Sequence, residues 1–340
     1  MPKLLSVALI PGLAIAMPLV GQESVEARIA KLESQVESLL WQLDQVRKIA
    51  DDNQFYLRLS DAAEVDKVIL TGKPNPKAPE RYGISNDRHP IRIYCYTFVP
   101  KGIDKSKKHP AVLLTHGGVH GDFGTYHVHL VREMMERGYI VIAPEYRGST
   151  GYGKTMYESV DYGGLENDDV VACRDWAVEE LPIDPKRVAA VGWSHGGMIS
   201  LMAGFDNPDK FACIYAGVPV SDLLTRLGYH EQSYTEAFAA KYHIGKAPVG
   251  DVDEYRRRSP IWNAHKLKIP LMVTSSTNDR DVNVVEVEQL ITHLKAAGKT
   301  FEYHIEKDAP GGHSWDRIDT TFARKARQRM YDFLKAHLGK

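Results

Sequence analysis

The stretch Gly192-Trp193-Ser194-His195-Gly196-Gly197 lies between an apolar run, Val188–Val191, and a second apolar, helix-capable run that begins at Met198. This reads as a strand, a tight turn and a helix, with a serine at the apex. Small residues at 192 and 196 are what such a turn requires. The serine sits at a strained backbone position, and a side chain on either flank would collide with the neighbouring strand or helix. The turn lifts the hydroxyl above the sheet edge and aims a helix N-terminus at it. The competing reading is an ordinary glycine-rich turn with Ser194 as a helix N-cap. The choice between them rests on whether a base, an acid and oxyanion donors occur elsewhere in the right order.

A serine hydroxyl is a poor nucleophile at neutral pH. It needs a histidine to take its proton and a carboxylate to orient that histidine. With this kind of turn the chain order is serine, acid, histidine. His313 lies in the glycine-rich loop Pro310-Gly311-Gly312-His313-Ser314, between the last strand and the last helix, and is the expected base. His304 falls in a strand, and His293 and His337 fall on helices. His230 and His243 lie in an aromatic-rich insertion and are candidates to touch a substrate. The acid should follow the strand Pro270–Thr274, where two aspartates compete in Asn278-Asp279-Arg280-Asp281-Val282. Asp279 comes first after the strand and is favoured; Asp281 can instead pair with Arg280 or cap the next helix. His116-Gly117-Gly118 directly follows the apolar strand Ala111–Thr115. Its backbone N–H groups, with that of His195, are the expected oxyanion donors.

The elements that must position these residues form an α/β pattern from about Asp61. Strands are expected at Lys67–Thr71, Ile91–Val99, Ala111–Thr115, Tyr139–Ala143, Val188–Val191, Ala212–Val218, Pro270–Thr274 and Phe301–Glu306. Helices are expected at Val131–Arg137, Asp168–Glu180, Val284–Ala297 and Asp316–Leu338. Apolar strands that do not alternate faces imply a mostly parallel sheet with helices on both faces. The composition is that of an ordinary globular chain, with 43% hydrophobic residues, 26% charged residues and a net charge of −1. That balance gives no reason to expect nucleic acid as a partner. Cys95, Cys173 and Cys213 have no metal-ligand spacing and read as buried small hydrophobes.

Two N-terminal segments precede this domain. In residues 1–22, Lys3 is followed by the apolar run Leu4–Val20, interrupted by Pro11 and Pro18. The run is short and broken for a spanning helix and fits a secretory signal; an uncleaved N-terminal anchor, and so a membrane tether, is the alternative. Either way the body would lie outside the cytoplasm, periplasmic or secreted. In residues 23–55 apolar residues recur at Val25, Ile29, Leu32, Val36, Leu39, Leu43, Val46 and Ala50. The alternating steps of four and three make a coiled-coil seam. With Ile29 and Val36 at a, and Leu32 and Leu39 at d, it favours a parallel two-stranded coil and a homo-oligomer. Arg28 and Glu33 are placed to pair between chains. The competing reading is a lone amphipathic helix whose apolar stripe packs on its own domain.

The full set of motifs resembles the catalytic domain of the prolyl oligopeptidase family of serine peptidases, especially its acylaminoacyl-peptidase-like branch. The matching pieces are His116-Gly117-Gly118, the run Glu145-Tyr146-Arg147-Gly148-Ser149-Thr150-Gly151-Tyr152-Gly153, Gly192-Trp193-Ser194-His195-Gly196-Gly197, Arg258-Ser259-Pro260, Asn278-Asp279 and Gly312-His313. The resemblance covers about residues 90 to 340. It implies an α/β-hydrolase fold over 61–340, with Ser194, Asp279 and His313 as a triad, no cofactor and no metal. Three features depart from the family pattern. About 90 residues precede the domain, leaving no room in this chain for the family's β-propeller. The acid motif reads Asp279-Arg280-Asp281-Val282-Asn283, where the family has Asp-Asp-Arg-Val-Pro. No glutamate pair suited to gripping a peptide amino terminus is identifiable.

The expected activity is therefore a serine hydrolase acting through an acyl-enzyme, on short peptides. The alternative is a carboxylesterase on small or polysaccharide-linked acyl esters, since propeller-free relatives include such enzymes. A non-catalytic scaffold that assembles through the coiled coil is a third reading. His116, His120, Tyr126 and Trp193 are candidate substrate-pocket residues. The cluster His116, His120, His127 and His129 contains a His-x-His pair, but its glycine- and aromatic-rich loop fits a pocket mouth better than a metal site. Residues 222–265, with Tyr229, Tyr234, Phe238 and Tyr242, are expected to form a lid, an acyl-pocket wall or a packed helical subdomain.

Overall fold

The computed structural model describes residues 24–77 and 90–339. The segment 1–22, read above as a leader or anchor, lies outside the described residues. No described helix is long and apolar enough to cross a membrane.

Eight strands run in the order β1 (Ala63–Gly72), β2 (Ile91–Pro100), β3 (His109–Thr115), β4 (Ile140–Glu145), β5 (Ile183–Trp193), β6 (Cys213–Gly217), β7 (Leu271–Ser276) and β8 (Glu302–Glu306). They form one sheet ordered β1-β2-β4-β3-β5-β6-β7-β8. The pairings β1·β2 and β2·β4 are antiparallel and the remaining five are parallel. This is the α/β-hydrolase topology that the motifs imply. The helices are α1 (Val25–Leu59), α2 (Val128–Met135), α3 (Lys154–Tyr157), α4 (Leu165–Glu180), α5 (His195–Asp206), α6 (Leu223–Tyr229), α7 (Gln232–Ala239), α8 (Val252–Arg258), α9 (Pro260–Asn263), α10 (Val284–Ala296) and α11 (Thr321–Leu338).

The central strands are apolar throughout because both faces are covered. On β3 and β5, Val112, Leu114, Ala189 and Val191 face a core shared with Phe55 and Leu59 of α1, with α2 and with α11. The alternate residues Ala111, Leu113, Val188 and Ala190 face α4 and α5. The last helix begins at Thr321, not at Asp316 as expected. Thr320 Oγ1 accepts from Ala323 N at 3.1 Å and starts the helix there. The preceding turn is held open by Asp316, whose Oδ2 accepts from Trp193 Nε1 at 2.9 Å and Tyr215 OH at 2.8 Å.

By its internal contacts the chain divides inside α1, between Leu40 and Trp41. The seam residues Val25, Ile29, Leu32, Val36, Leu39, Leu43 and Val46 are between 46% and 66% exposed. Of that stripe, Leu43 and Val46 lie in the second unit and are not what packs on its domain. From Trp41 onward the opposite face of the helix does so, through Asp44, Lys48, Asp51, Asp52, Phe55 and Leu59. Trp41 meets Tyr157 edge-on, Asp44 Oδ2 accepts from Gly151 N at 2.6 Å, and Asp51 accepts from Thr125 N at 2.9 Å.

Lys48 is the centre of this contact. Only 4% exposed, it pairs with Glu145 at 2.8 Å and Asp52 at 2.9 Å, and donates to Phe123 O at 2.9 Å. Burial alone would raise the Glu145 carboxyl, but Lys48 and His116 outweigh it and hold it at about 2. A buried pair is strongly destabilising to break from one side, because the remaining charge is left without a counter-ion. Lys48→Met is therefore expected to lower stability by about 3–5 kcal/mol at neutral pH, measured by urea unfolding. Glu145 is depressed below its ordinary value of 4.5, so its contribution is present above that pH and lost as pH falls toward about 2. The gap between wild type and Lys48→Met should narrow over that window; a gap that widens on acidification would contradict the assignment.

Candidate active site

Ser194 sits between β5 and α5 with φ 59° and ψ −125°. Two contacts force this turn. A Cβ on Gly192 would lie 2.2 Å from Gly196 O, and one on Gly196 would lie 2.2 Å from Thr115 O. Ser194 N donates to Gly217 O at 2.9 Å, and Ser194 O accepts from Met198 N at 3.0 Å, which fixes the serine between β6 and the first turn of α5. No side-chain cap bond is made by Ser194, so its hydroxyl is not used as an N-cap. The helix starts at His195, three residues earlier than the apolar run at Met198 indicated.

His313 lies on a short 3-10 turn, Gly312–Ser314, after β8. Gly311 at φ 100° and Gly312 at φ 51° let the loop double back over the sheet edge. The ring Nδ1 donates to Asp279 Oδ2 at 2.7 Å. Asp279 Oδ1 accepts from Asp281 N and Val282 N, both at 2.9 Å. Asp279 is thus buried, anchored by two backbone donors and aimed at the imidazole. Asp281 is exposed and makes no hydrogen bond to His313; nor does it cap α10, whose N-cap is Asn283. The two aspartates and His313 have ligand atoms within 4.8 Å of one another, the spacing expected of an acid–base pair with an acidic neighbour.

β3 and β5 are neighbours in register, with Thr115 opposite Gly192. The segments His116-Gly117-Gly118 and Ser194-His195 therefore emerge side by side. A Cβ on Gly117 would lie 3.0 Å from Trp193 O and 3.3 Å from Ser194 Cβ, so a side chain there would push the two segments apart by a few tenths of an ångström. Among the described residues, the N–H groups of Gly117, Gly118 and His195 donate to no protein acceptor. They are free to meet a developing oxyanion.

Ser194, His313, Gly117, Gly118, His195 and Tyr126 all line one cleft of about 590 Å³. Tyr162, Arg226, His230, Tyr234 and Asp281 line the same cleft, so part of the 222–265 insertion contributes to it. Three candidate pocket residues do not line it. His116 is buried, donating or accepting at 3.0 Å with Ser149 Oγ and lying 3.3 Å from Glu145. His120 is stacked on Tyr157 and bonded to Gly148 O at 2.9 Å. Trp193 is held inward by Asp316. All three brace the cleft from behind. His127, which does line it, is pushed by burial down to about 3 and stays neutral.

Several site residues carry no signal in the sequence. Glu166 of α4 is fully buried with an oxygen 2.7 Å from His195 Nε2. His195 Nδ1 meets Gly118 O at 2.6 Å, so the residue after the serine ties the oxyanion loop to α4. Glu145 and Lys48 extend that support to α1. Lys48 and Glu166 look like ordinary helix charges until the fold brings them together.

Because Asp279, and not Asp281, bonds the His313 ring, Asp279→Asn is expected to slow acylation of Ser194 by a fluorophosphonate probe by about 10³-fold or more. Asp281→Asn should slow it less than about tenfold. The reverse ranking would transfer the role to Asp281.

The sequence profile of the prolyl oligopeptidase family matches residues 126–340, a range that contains Ser194, Asp279 and His313 but begins after the Gly117-Gly118 loop. Dipeptidyl aminopeptidase BIII of Pseudoxanthomonas mexicana is 30% identical over 273 residues, covering 76% of this chain and 38% of that protein. Among solved structures, a puromycin-hydrolyzing peptidase of Mycobacterium tuberculosis aligns with a TM-score of 0.62 at 24% identity, over 73% of this chain and 38% of that one. The uncomplexed acylaminoacyl peptidase of Pyrococcus horikoshii aligns with a TM-score of 0.67 at 20% identity, over 84% and 44%. The chain spans only about a third of the length of the curated relatives it matches. What the match covers is the hydrolase unit with its serine turn, acid loop and histidine loop, and on that footing the chain belongs to the prolyl oligopeptidase family.

Proposed function

We propose that this protein is a serine peptidase that cleaves short peptides through an acyl-enzyme at Ser194. The observation that carries the proposal is the 2.7 Å bond between His313 Nδ1 and Asp279, on the same cleft as the strained serine. With Nδ1 protonated and bonded to the carboxylate, Nε2 is the basic nitrogen. His313 takes the Ser194 proton as Oγ attacks the peptide carbonyl. The oxyanion is met by the N–H of His195 and of Gly117 or Gly118. His313 then gives the proton to the leaving amine, the C–N bond breaks, and water repeats the sequence to release the acid. The peptidase names of the relatives support an amide substrate over an ester.

A panel of peptidyl amides and short-chain acyl esters, each run against Ser194→Ala, tests this. Amide turnover lost in Ser194→Ala is the expected result. Ester turnover without amide turnover would give the esterase reading its place, and an unlabelled Ser194 with a fluorophosphonate would remove both.

We further propose that the α1 seam pairs two copies of the chain as a parallel coiled coil, and that the N-terminal segment directs the protein to the periplasm or the outside of the cell. The exposed heptads support the first reading and the basic-then-apolar composition of residues 1–22 the second. Deleting the whole helix would also remove Lys48, so surface changes are the cleaner test. Leu32→Glu with Leu39→Glu is expected to convert a dimer into a monomer by light scattering. An unchanged mass would exclude the seam from assembly.

A further inference from the structure

The cleft contains two arginines in opposite electrostatic situations. Arg226 is committed: it pairs with Glu286 at 3.3 Å and donates to Asp281 O at 2.8 Å and Tyr234 OH at 3.0 Å. Arg317 is not. It is 8% exposed and lines the cleft, yet among the described residues it forms no ion pair. Its Nη2 donates to His313 O at 2.7 Å and lies 3.5 Å from Ser314 Oγ. Its Nε is buried with no partner, and Nη1 makes no hydrogen bond to a described residue. Nη1 also lies 3.8 Å from where a Cβ on Gly117 would stand, a point 3.3 Å from Ser194 Cβ. The guanidinium thus sits against the oxyanion loop and the histidine loop at once.

A guanidinium nine-tenths removed from water without a counter-ion is costly, and the cost is relieved by an anion that accepts its unused N–H groups. A carboxylate fits best, since its two oxygens match the arginine fork. The acids on the cleft do not supply it. Asp122 is taken up by Lys48 at 3.6 Å and Thr150 Oγ1 at 3.1 Å, and Asp281 forms no ion pair with Arg317. His127 beside it is neutral.

We propose that Arg317 recognises a substrate carboxylate held close to the scissile bond, so that the preferred substrates are short peptides bearing a negative charge there. This rests on the peptidase reading and adds a substrate class to it. Two sources share the chemistry: the free α-carboxylate of a peptide cut near its C-terminus, and an acidic side chain next to the cleaved bond. Arg317 is a specificity residue here, distinct from the residues that move protons.

The test uses the full-length protein and four peptides that share one cleavable bond. One has a free C-terminus and one an amidated C-terminus. The other two are amidated and carry Asp or Asn beside the bond. A monoester of a dicarboxylic acid and its neutral diester are run alongside. The expected result is a kcat/KM ratio of charged to neutral substrate of about tenfold or more, expressed mainly in KM. The pair that shows it identifies the source. The ratio should collapse toward one in Arg317→Met and be partly kept in Arg317→Lys. Using the ratio removes any loss that both substrates share through the His313 loop. Competitive inhibition of wild type by N-acylated amino acids, stronger than by their amides, checks the same point without a variant. A wild-type ratio near one in every pair overturns the proposal. So does an equal loss on charged and neutral substrates in Arg317→Met, which would make Arg317 a support of the loop. If no peptide is cut but esters are, the peptidase reading fails and the ester pair decides the role of Arg317.

Discussion

The site depends on one constraint: a serine held at positive φ between two glycines that have no room for a side chain. A non-glycine residue in that region costs about 1–3 kcal/mol and persists only where surrounding structure over-determines it. Here the surroundings are backbone. Gly192 abuts Gly196 O, and Gly196 abuts Thr115 O, so β5, α5 and the end of β3 close on each other with no side chain between them. Val218, after β6, is also at positive φ and donates to Thr274 O, and the bond from Val220 N to Ser194 O ties that second turn to the first. Ser194 is therefore braced by the strand ends around it.

That closeness explains the layout of the rest. Since β3 and β5 are neighbours, the loop after β3 has to pass beside Ser194, and Gly117 lets it do so at contact distance. Acid and base come from the far side of the sheet, after β7 and β8. Asp279 reaches His313 because the backbone of Asp281 and Val282 folds over its other oxygen and leaves one oxygen to the imidazole. The same turn that lifts Asp279 pushes Asp281 outward to the cleft rim.

Behind the cleft lies a second layer of buried charge. Lys48, Glu145 and His116 form one line from α1 to the oxyanion loop, and Glu166 and His195 form another from α4. The first line makes the C-terminal part of α1 an integral part of the hydrolase unit, although the same helix carries an exposed heptad seam on its other side. From Trp41 onward its f, b and c residues pack on the hydrolase unit, while Leu43 and Val46, at a and d, stay exposed.

The serine turn, and the glycine-rich loops that carry His313 and Gly117-Gly118, were legible in the sequence because turns of this kind demand rare residues at fixed places. Small residues must flank the serine, and a glycine must stand where backbone approaches an anion. The sheet was legible because strands buried on both faces cannot alternate. The boundary of the last helix is not legible in the sequence because an aspartate inside an apolar pattern has helical spacing, and only the fold gives it the buried partners Trp193 and Tyr215. Which aspartate meets His313, the inward turn of His116, His120 and Trp193, and the partners of Lys48, Glu166 and Arg317 were decided only by tertiary structure. They depend on distances between residues from 4 to 123 positions apart in the chain, such as Arg317 and its His313 carbonyl or Trp193 and Asp316. Sequence by itself determined which atoms can react, since reactivity follows residue type and local backbone. Tertiary structure decided which charges are paired and which face the cleft, since burial and partnership are properties of the packed chain.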